Sequence, residues 1–192
     1  FTGYGFMAED ETMVAAMEAA GLNFIGPCSK TVHNAGLKDE AKRTALSIGV
    51  SVTPGIDNGT ALTLLKKYPG VDALAALAKE HQLKIDEAAL ADDSVSIEDK
   101  ADIVLAASYI KGVDLYTVDE LGETLTEAVV RMYDEYPNNR IRLKAISGGG
   151  GKGQRILAAP DSYEGTAQEK VKQAASRTPE MVREILNEVK TT

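Results

Sequence analysis

The sequence predicts an α/β fold, and three observations carry that prediction. The opening residues alternate helical and extended patterns. Residues 141–145 and 155–158 read as two strands around a run of glycines. Between these ends, residues 57–134 are dominated by alanine and leucine at helical spacing, with glycine only singly. Alternating helices and strands are the signature of a layered α/β arrangement, to which the central stretch adds a helical block.

The composition narrows the class. Of the 192 residues 44% are hydrophobic and 26% charged, which suits a folded domain and excludes global disorder. No uncharged apolar run approaches the roughly 18 residues that cross a bilayer, so no membrane helix is expected. The single cysteine, Cys28, cannot close an internal disulfide, which fits a reducing compartment and a cytoplasmic location. With 21 basic against 29 acidic residues the net charge is -8, which argues against a nucleic-acid-binding surface but leaves room for a local phosphate site. The chain starts at Phe1 rather than Met and stops on a helical pattern at Lys190-Thr191-Thr192. The expectation is a piece cut from a longer protein.

Glu9 to Ala20 reads as a helix, with Met13, Ala16, Met17 and Ala20 recurring at three and four and Gly21 placed to end it. Leu22 to Pro27 reads as a short buried strand, and Thr31 to Ile48 as mostly helical, most strongly from Lys38. Val50 to Thr53 is expected to be extended, closed by the turn Pro54-Gly55. Helices are then expected from Asn58 to Lys67 and from Val71 to His81, and a loop or very short helix within the acidic stretch Ile85 to Glu98. Further helices are expected from Lys100 to Ser108 and from Val118 to Tyr136, the last with a stripe of Leu121, Leu125, Val129 and Met132. Pro137-Asn138-Asn139 is a turn. Ile141 to Ala145 and Arg155 to Ala158 form a hairpin, and helices from Ser162 to Ala175 and from Pro179 to Val189 finish the chain. Pro179 suits a first helical position, where its missing N–H costs nothing.

The most informative stretch is Lys144-Ala145-Ile146-Ser147-Gly148-Gly149-Gly150-Gly151-Lys152-Gly153-Gln154. Consecutive glycines let backbone N–H groups wrap phosphate oxygens, and Lys144 and Lys152 would add positive charge. No Lys-Ser or Lys-Thr pair opens a helix behind the loop, so it is not a Walker loop, and the strand that follows excludes a Rossmann fingerprint. A flexible tip or plain linker has the same composition. The flanking strands favour a phosphate cradle.

With Gly3-Tyr4-Gly5-Phe6-Met7-Ala8-Glu9 and Phe24-Ile25-Gly26-Pro27, this loop resembles the biotin carboxylase family of ATP-grasp enzymes. Gly36-Leu37-Lys38, Val52-Thr53-Pro54-Gly55 and Lys144-Ala145 continue the family's motifs in the same order. The sequence departs from the family at Leu37, where Asp is usual, at Gln154, where Met is usual, and at Cys28, where Ser is common. Residues 56–143 also form a longer interval than the family's, so residues from about 66 to 125 read as a helical insertion.

The resemblance implies an architecture and a chemistry. Residues 1–55 would be the end of a Rossmann-like pre-ATP-grasp domain with its connecting helix. Residues 56–192 would be an ATP-grasp lid subdomain carrying the insertion. Family members use ATP and bicarbonate, through carboxyphosphate, to carboxylate biotin. Lys38 and Lys144 fall on nucleotide-binding positions, and Gly148, Gly149, Gly150, Gly151, Lys152, Gly153 and Gln154 on the loop that covers the phosphates. ATP, Mg²⁺ and a biotin held on a carrier domain are the implied cofactors. The implied partners are the rest of the biotin carboxylase domain, the carrier domain and a carboxyltransferase; neither nucleic acid nor membrane is expected. The resemblance supplies no metal ligand and no catalytic residue within this chain, so the chain alone is expected to be inactive although its parent would be an ATP-dependent ligase.

Other candidates read as structural. Cys28 has no histidine near it in sequence, and His33 and His81 have no metal-ligand spacing. The acidic groups Glu9-Asp10-Glu11, Asp92-Asp93 and Glu98-Asp99 suit helix starts. Two alternatives stay open: a non-catalytic interaction module docking through the insertion, and the ATP-grasp part of a carbamoyl-phosphate-synthase-like ligase.

Overall fold

The computed structural model describes residues 3, 5, 7–36, 38–145 and 153–190, without the side chains of residues 38–40 and 190. The chain is mixed α/β, mostly helical with one two-stranded sheet. It divides into two compact units, residues 1–57 and 58–192.

In the first unit α1 (Glu11–Ala19), α2 (Ser29–Gly36) and α3 (Lys38–Ser47) pack in sequence order. Asp10 starts α1 by accepting the N–H groups of Thr12 and Met13, and Gly21 leaves the helix at φ 70°. Val14 and Val32 are its buried apolar side chains among the described residues. The expected strand at Leu22–Pro27 is absent: the segment is irregular, with Leu22 60% and Ile25 73% exposed. Val50–Thr53 is likewise in no strand. An extended segment needs a neighbour to take its backbone N–H and C=O groups, and the one sheet among the described residues lies in the other unit.

The second unit opens with α4 (Gly59–Lys67), α5 (Val71–Glu80), α6 (Glu87–Ala91) and α7 (Ile97–Lys111). They enclose a core in which Leu64, Leu74, Leu77, Leu90, Ala101 and Val104 are buried. Each such leucine contributes about 1.5–3 kcal/mol by leaving water. α7 extends beyond the expected Lys100–Ser108 in both directions. Ser96 caps its start by accepting the Asp99 N–H at 3.1 Å, and Gly112 ends it in the left-handed region at φ 72°.

α8 (Val118–Glu135) begins with a reciprocal cap: the Thr117 hydroxyl accepts the Glu120 N–H, and the Glu120 carboxylate accepts the Thr117 N–H. Its buried stripe runs through Leu121, Ala128, Val129 and Tyr133, with Leu125 and Met132 at the edge. β1 (Ile141–Lys144) and β2 (Gln154–Leu157) then pair antiparallel, Ile141 opposite Leu157 and Lys144 opposite Gln154. Helix does not start at Ser162 as expected. A 3-10 turn at Pro160–Ser162 and Gly165 at φ 117° intervene, and α9 (Ala167–Ala175) starts from a second reciprocal cap between Thr166 and Glu169. α10 (Thr178–Lys190) closes the unit.

α10 lies along α8 and also covers both strands. The approach to α8 is close: a β-carbon on Gly122 would sit 3.1 Å from Pro179 Cα. The second core joins Val129, Tyr133, Leu157, Val171, Ala174 and Met181. Tyr133 is fully buried, and its hydroxyl donates to the Ala158 carbonyl at 2.7 Å. Burial pushes its pKa up to about 12.

Two contrasting substitutions check this core by urea unfolding. Tyr133→Phe removes the hydrogen bond to the Ala158 carbonyl and is expected to cost about 1 kcal/mol. The Thr178 hydroxyl is buried with no hydrogen-bond partner among the described residues, so Thr178→Val is expected to be neutral or stabilising by about 1 kcal/mol. The reverse order would refute the assignment. A pH titration by circular dichroism checks the caps. The N–H of Thr117, helped by Lys67, holds the Glu120 carboxyl below its ordinary 4.5, and the N–H and hydroxyl of Thr166 do the same for Glu169. Carboxyls lowered in the folded state stabilise it above the ordinary value and cease to do so as pH falls through the folded value. Helicity should therefore fall as the pH drops below about 4.5, and Glu120→Gln should flatten that dependence.

Candidate functional site

The hairpin presents two chemically different faces. Opposite residues of an antiparallel pair share a face, so Arg142, Lys144, Gln154 and Ile156 lie on one side and Ile141, Leu143, Arg155 and Leu157 on the other. The second side is packed: Leu157 is buried, and α10 covers the strands. Arg155 belongs to this side although it is charged. Its Nε donates to Glu184 at 2.7 Å and its NH1 to Glu188 at 2.8 Å, both carboxylates projecting from α10. These two carboxylates, Glu184 foremost, raise the guanidinium pKa further above its already high value. The expected strand residue Arg155 thus fastens the ribbon to a helix.

The first side is open. Arg142, Lys144 and Ile156 are exposed, Ile156 by 44%. The Arg142 NH1 donates to the Gln154 Oε1 at 3.0 Å, a diagonal contact across the strands. Among the described residues no carboxylate lies within ion-pairing distance of Arg142 or Lys144. Beyond the strands the Ala145 N–H donates to the Gly153 carbonyl at 2.8 Å, and Gly153 is buried at φ 65°, a conformation that excludes most side chains. This pairing narrows the neck from which the glycine run departs.

Of the predicted site residues, Lys144, Gly153 and Gln154 therefore gather at one end of the ribbon. Gly148, Gly149, Gly150, Gly151 and Lys152 lie outside the described residues. Lys38 is the first residue of α3 in the first unit, and its side chain is not among those described. Near the Val52-Thr53-Pro54-Gly55 turn, Lys42 Nζ pairs with Asp57 at 2.5 Å. Sequence reading missed the Arg142–Gln154 contact; the strand alternation alone places Arg142 on the same face as Lys144, and that signal was available.

The remaining candidates have local partners. Cys28 Sγ and Thr31 Oγ1 share a hydrogen bond of 3.1 Å, which lowers the thiol pKa, while His33 is paired with Glu11 rather than with the thiol. Asp92 accepts the Ser94 N–H in a local turn. A groove of about 380 Å³ opens between the end of α8, the 3-10 turn and α9, lined by Tyr133, Pro137, Asp161, Gln168 and Lys170. None of its lining residues belongs to the ribbon. Among the described residues no helix is long and apolar enough to cross a membrane, and no group of three His, Cys, Asp or Glu side chains can hold a metal ion.

No family model and no solved structure matches the chain. Curated relatives do. Mouse mitochondrial pyruvate carboxylase is 43% identical over 56 residues, 29% of this chain and 5% of the relative. The propionyl-CoA carboxylase alpha chain of Caenorhabditis elegans is 44% identical over 55 residues, 29% of this chain and 8% of the relative. Chloroplastic biotin carboxylase 1 of Populus trichocarpa is 25% identical over 174 residues, 91% of this chain and 21% of the relative. The chain thus spans between one twentieth and about one fifth of the length of these proteins. Its homologues are biotin-dependent carboxylases and a biotin carboxylase.

Proposed function

We propose that the chain is the ATP-binding portion of a biotin carboxylase, inactive without the rest of that enzyme. The observation that carries the reading is Lys144, an exposed cation with no ion-pair partner among the described residues, at the end of β1 beside the narrowed neck of a glycine run. The similarity to biotin-dependent carboxylases supports it. In this reading residues 1–55 belong to the family's N-terminal α/β domain, 56–192 to its ATP-grasp lid subdomain, and about 66–125 to a helical insertion. A reducing, cytoplasmic setting is part of the same proposal, as are a carrier domain and a carboxyltransferase as partners.

The chain's own residues have a limited task. Lys144 holds phosphate oxygens and Gly153 keeps the neck narrow; Lys38 and Gly148, Gly149, Gly150, Gly151 and Lys152 are nucleotide-binding positions on the strength of the family resemblance alone. When bound, ATP supplies the phosphoryl group that activates bicarbonate. The ion that accompanies it is assigned no ligand here. The docking-module alternative has one observation of its own: Tyr109 and Ile110, at the end of α7, are 87% and 86% exposed.

Calorimetric titration of the chain with Mg-ATP tests the reading. Measurable binding that Lys144→Ala weakens by about tenfold supports it, that being the scale of one charge-assisted contact. Binding indifferent to Lys144→Ala would remove the ribbon from the nucleotide site.

A further inference from the structure

The open face of the ribbon carries a second cation that none of the predicted site residues includes. Arg142 and Lys144 are two positions apart on β1, so their side chains leave the same face about 7 Å from one another along the strand. Both are exposed, and neither meets a carboxylate among the described residues. The contrast with the other face is instructive. Arg155, one register step away, is held by two carboxylates from α10, whereas Arg142 is held by the neutral carboxamide of Gln154 at 3.0 Å. A carboxamide oxygen orients a guanidinium without cancelling its charge, and leaves its other N–H groups for a second acceptor.

We infer that Arg142 is a phosphate-binding residue, positioned by Gln154, and that with Lys144 it forms a two-cation clamp for a polyphosphate. The inference rests on the nucleotide-binding reading above and deepens it. Lys144 acts as a point charge near the neck, and Arg142 supplies a planar fork one step further along the strand. Gln154 lies opposite Lys144 in the register, and its carboxamide reaches diagonally to accept from Arg142 at 3.0 Å, which orients the guanidinium on the face that carries Lys144. Ile156, opposite Arg142, adds an apolar floor rather than a competing acceptor.

The test titrates the full chain with inorganic tripolyphosphate and, separately, with ATP. Arg142→Ala should weaken both by about fivefold to tenfold, the range of an exposed charge-assisted contact. Gln154→Glu should weaken them as much, because a carboxylate would neutralise the guanidinium, and should add little when Arg142 is already Ala. Arg142→Lys should restore only part of the affinity. Arg140→Ala, an exposed arginine just outside the ribbon, should have little effect. Tripolyphosphate binding that Lys144→Ala weakens and Arg142→Ala does not would overturn the clamp while leaving the nucleotide site standing. Loss for ATP alone would move Arg142 to the nucleoside and also overturn it. An equal loss in Arg140→Ala would reduce the effect to general charge and refute it. A chain that binds neither probe overturns both readings.

Discussion

Two strands alone make a poor sheet, and in this chain everything at the candidate site depends on how one helix compensates. A hairpin without a third strand is marginal in water because its buried face is small and its edges are open. α10 supplies what is missing. It lies along α8, where Gly122 leaves space for Pro179, and from there it covers the inner face of β1 and β2. Glu184 and Glu188 then hold Arg155 from that helix. The outward direction of Lys144 and Arg142 is a consequence: with the inner face fastened, the alternate residues lie on the exposed face.

The second unit is built around two cores. One gathers α4 to α7 with the loop residues Leu83 and Leu115; the other joins α8, α9, α10 and the ribbon. α8 contacts α4 as well as α9 and α10, so it carries packing from one core to the other. Its reciprocal cap is tied to α4 by Lys67, which reaches Glu120 at 3.0 Å. That pair is exposed and contributes little by itself. The leucines and Tyr133 beneath it do most of the work, and the caps decide where the helices begin.

Where local rules are sufficient, the sequence was legible. The strands expected at Ile141–Ala145 and Arg155–Ala158 and the helices expected at Glu9–Ala20 and Val118–Tyr136 follow from periodicity, and the structure places them within two residues of those bounds. Leu22–Pro27 failed because an apolar run names a strand only if a partner exists, and pairing is not a local property. The helix expected at Ser162 failed because Gly165 stops the chain in a conformation that no helix shares, and Thr166 restarts it. At the site, Lys144 could be read from its place before the glycines. Which charges are cancelled could not: Arg155 and Arg142 look alike in sequence, and only the arrival of α10 separates a fastened arginine from an open one.

The sparse interior of the first unit has a further consequence. Among the described residues Val14 and Val32 are its buried apolar side chains, while Leu22, Ile25, Leu46, Ile48 and Val50 stay largely exposed. A segment with so little to lose on opening should exchange its amide hydrogens through local fluctuations, without waiting for the leucine core of the second unit to come apart. The two units should therefore differ in thermodynamic depth: the described part of the first is expected to open first, and the helices around Leu64 and Tyr133 last.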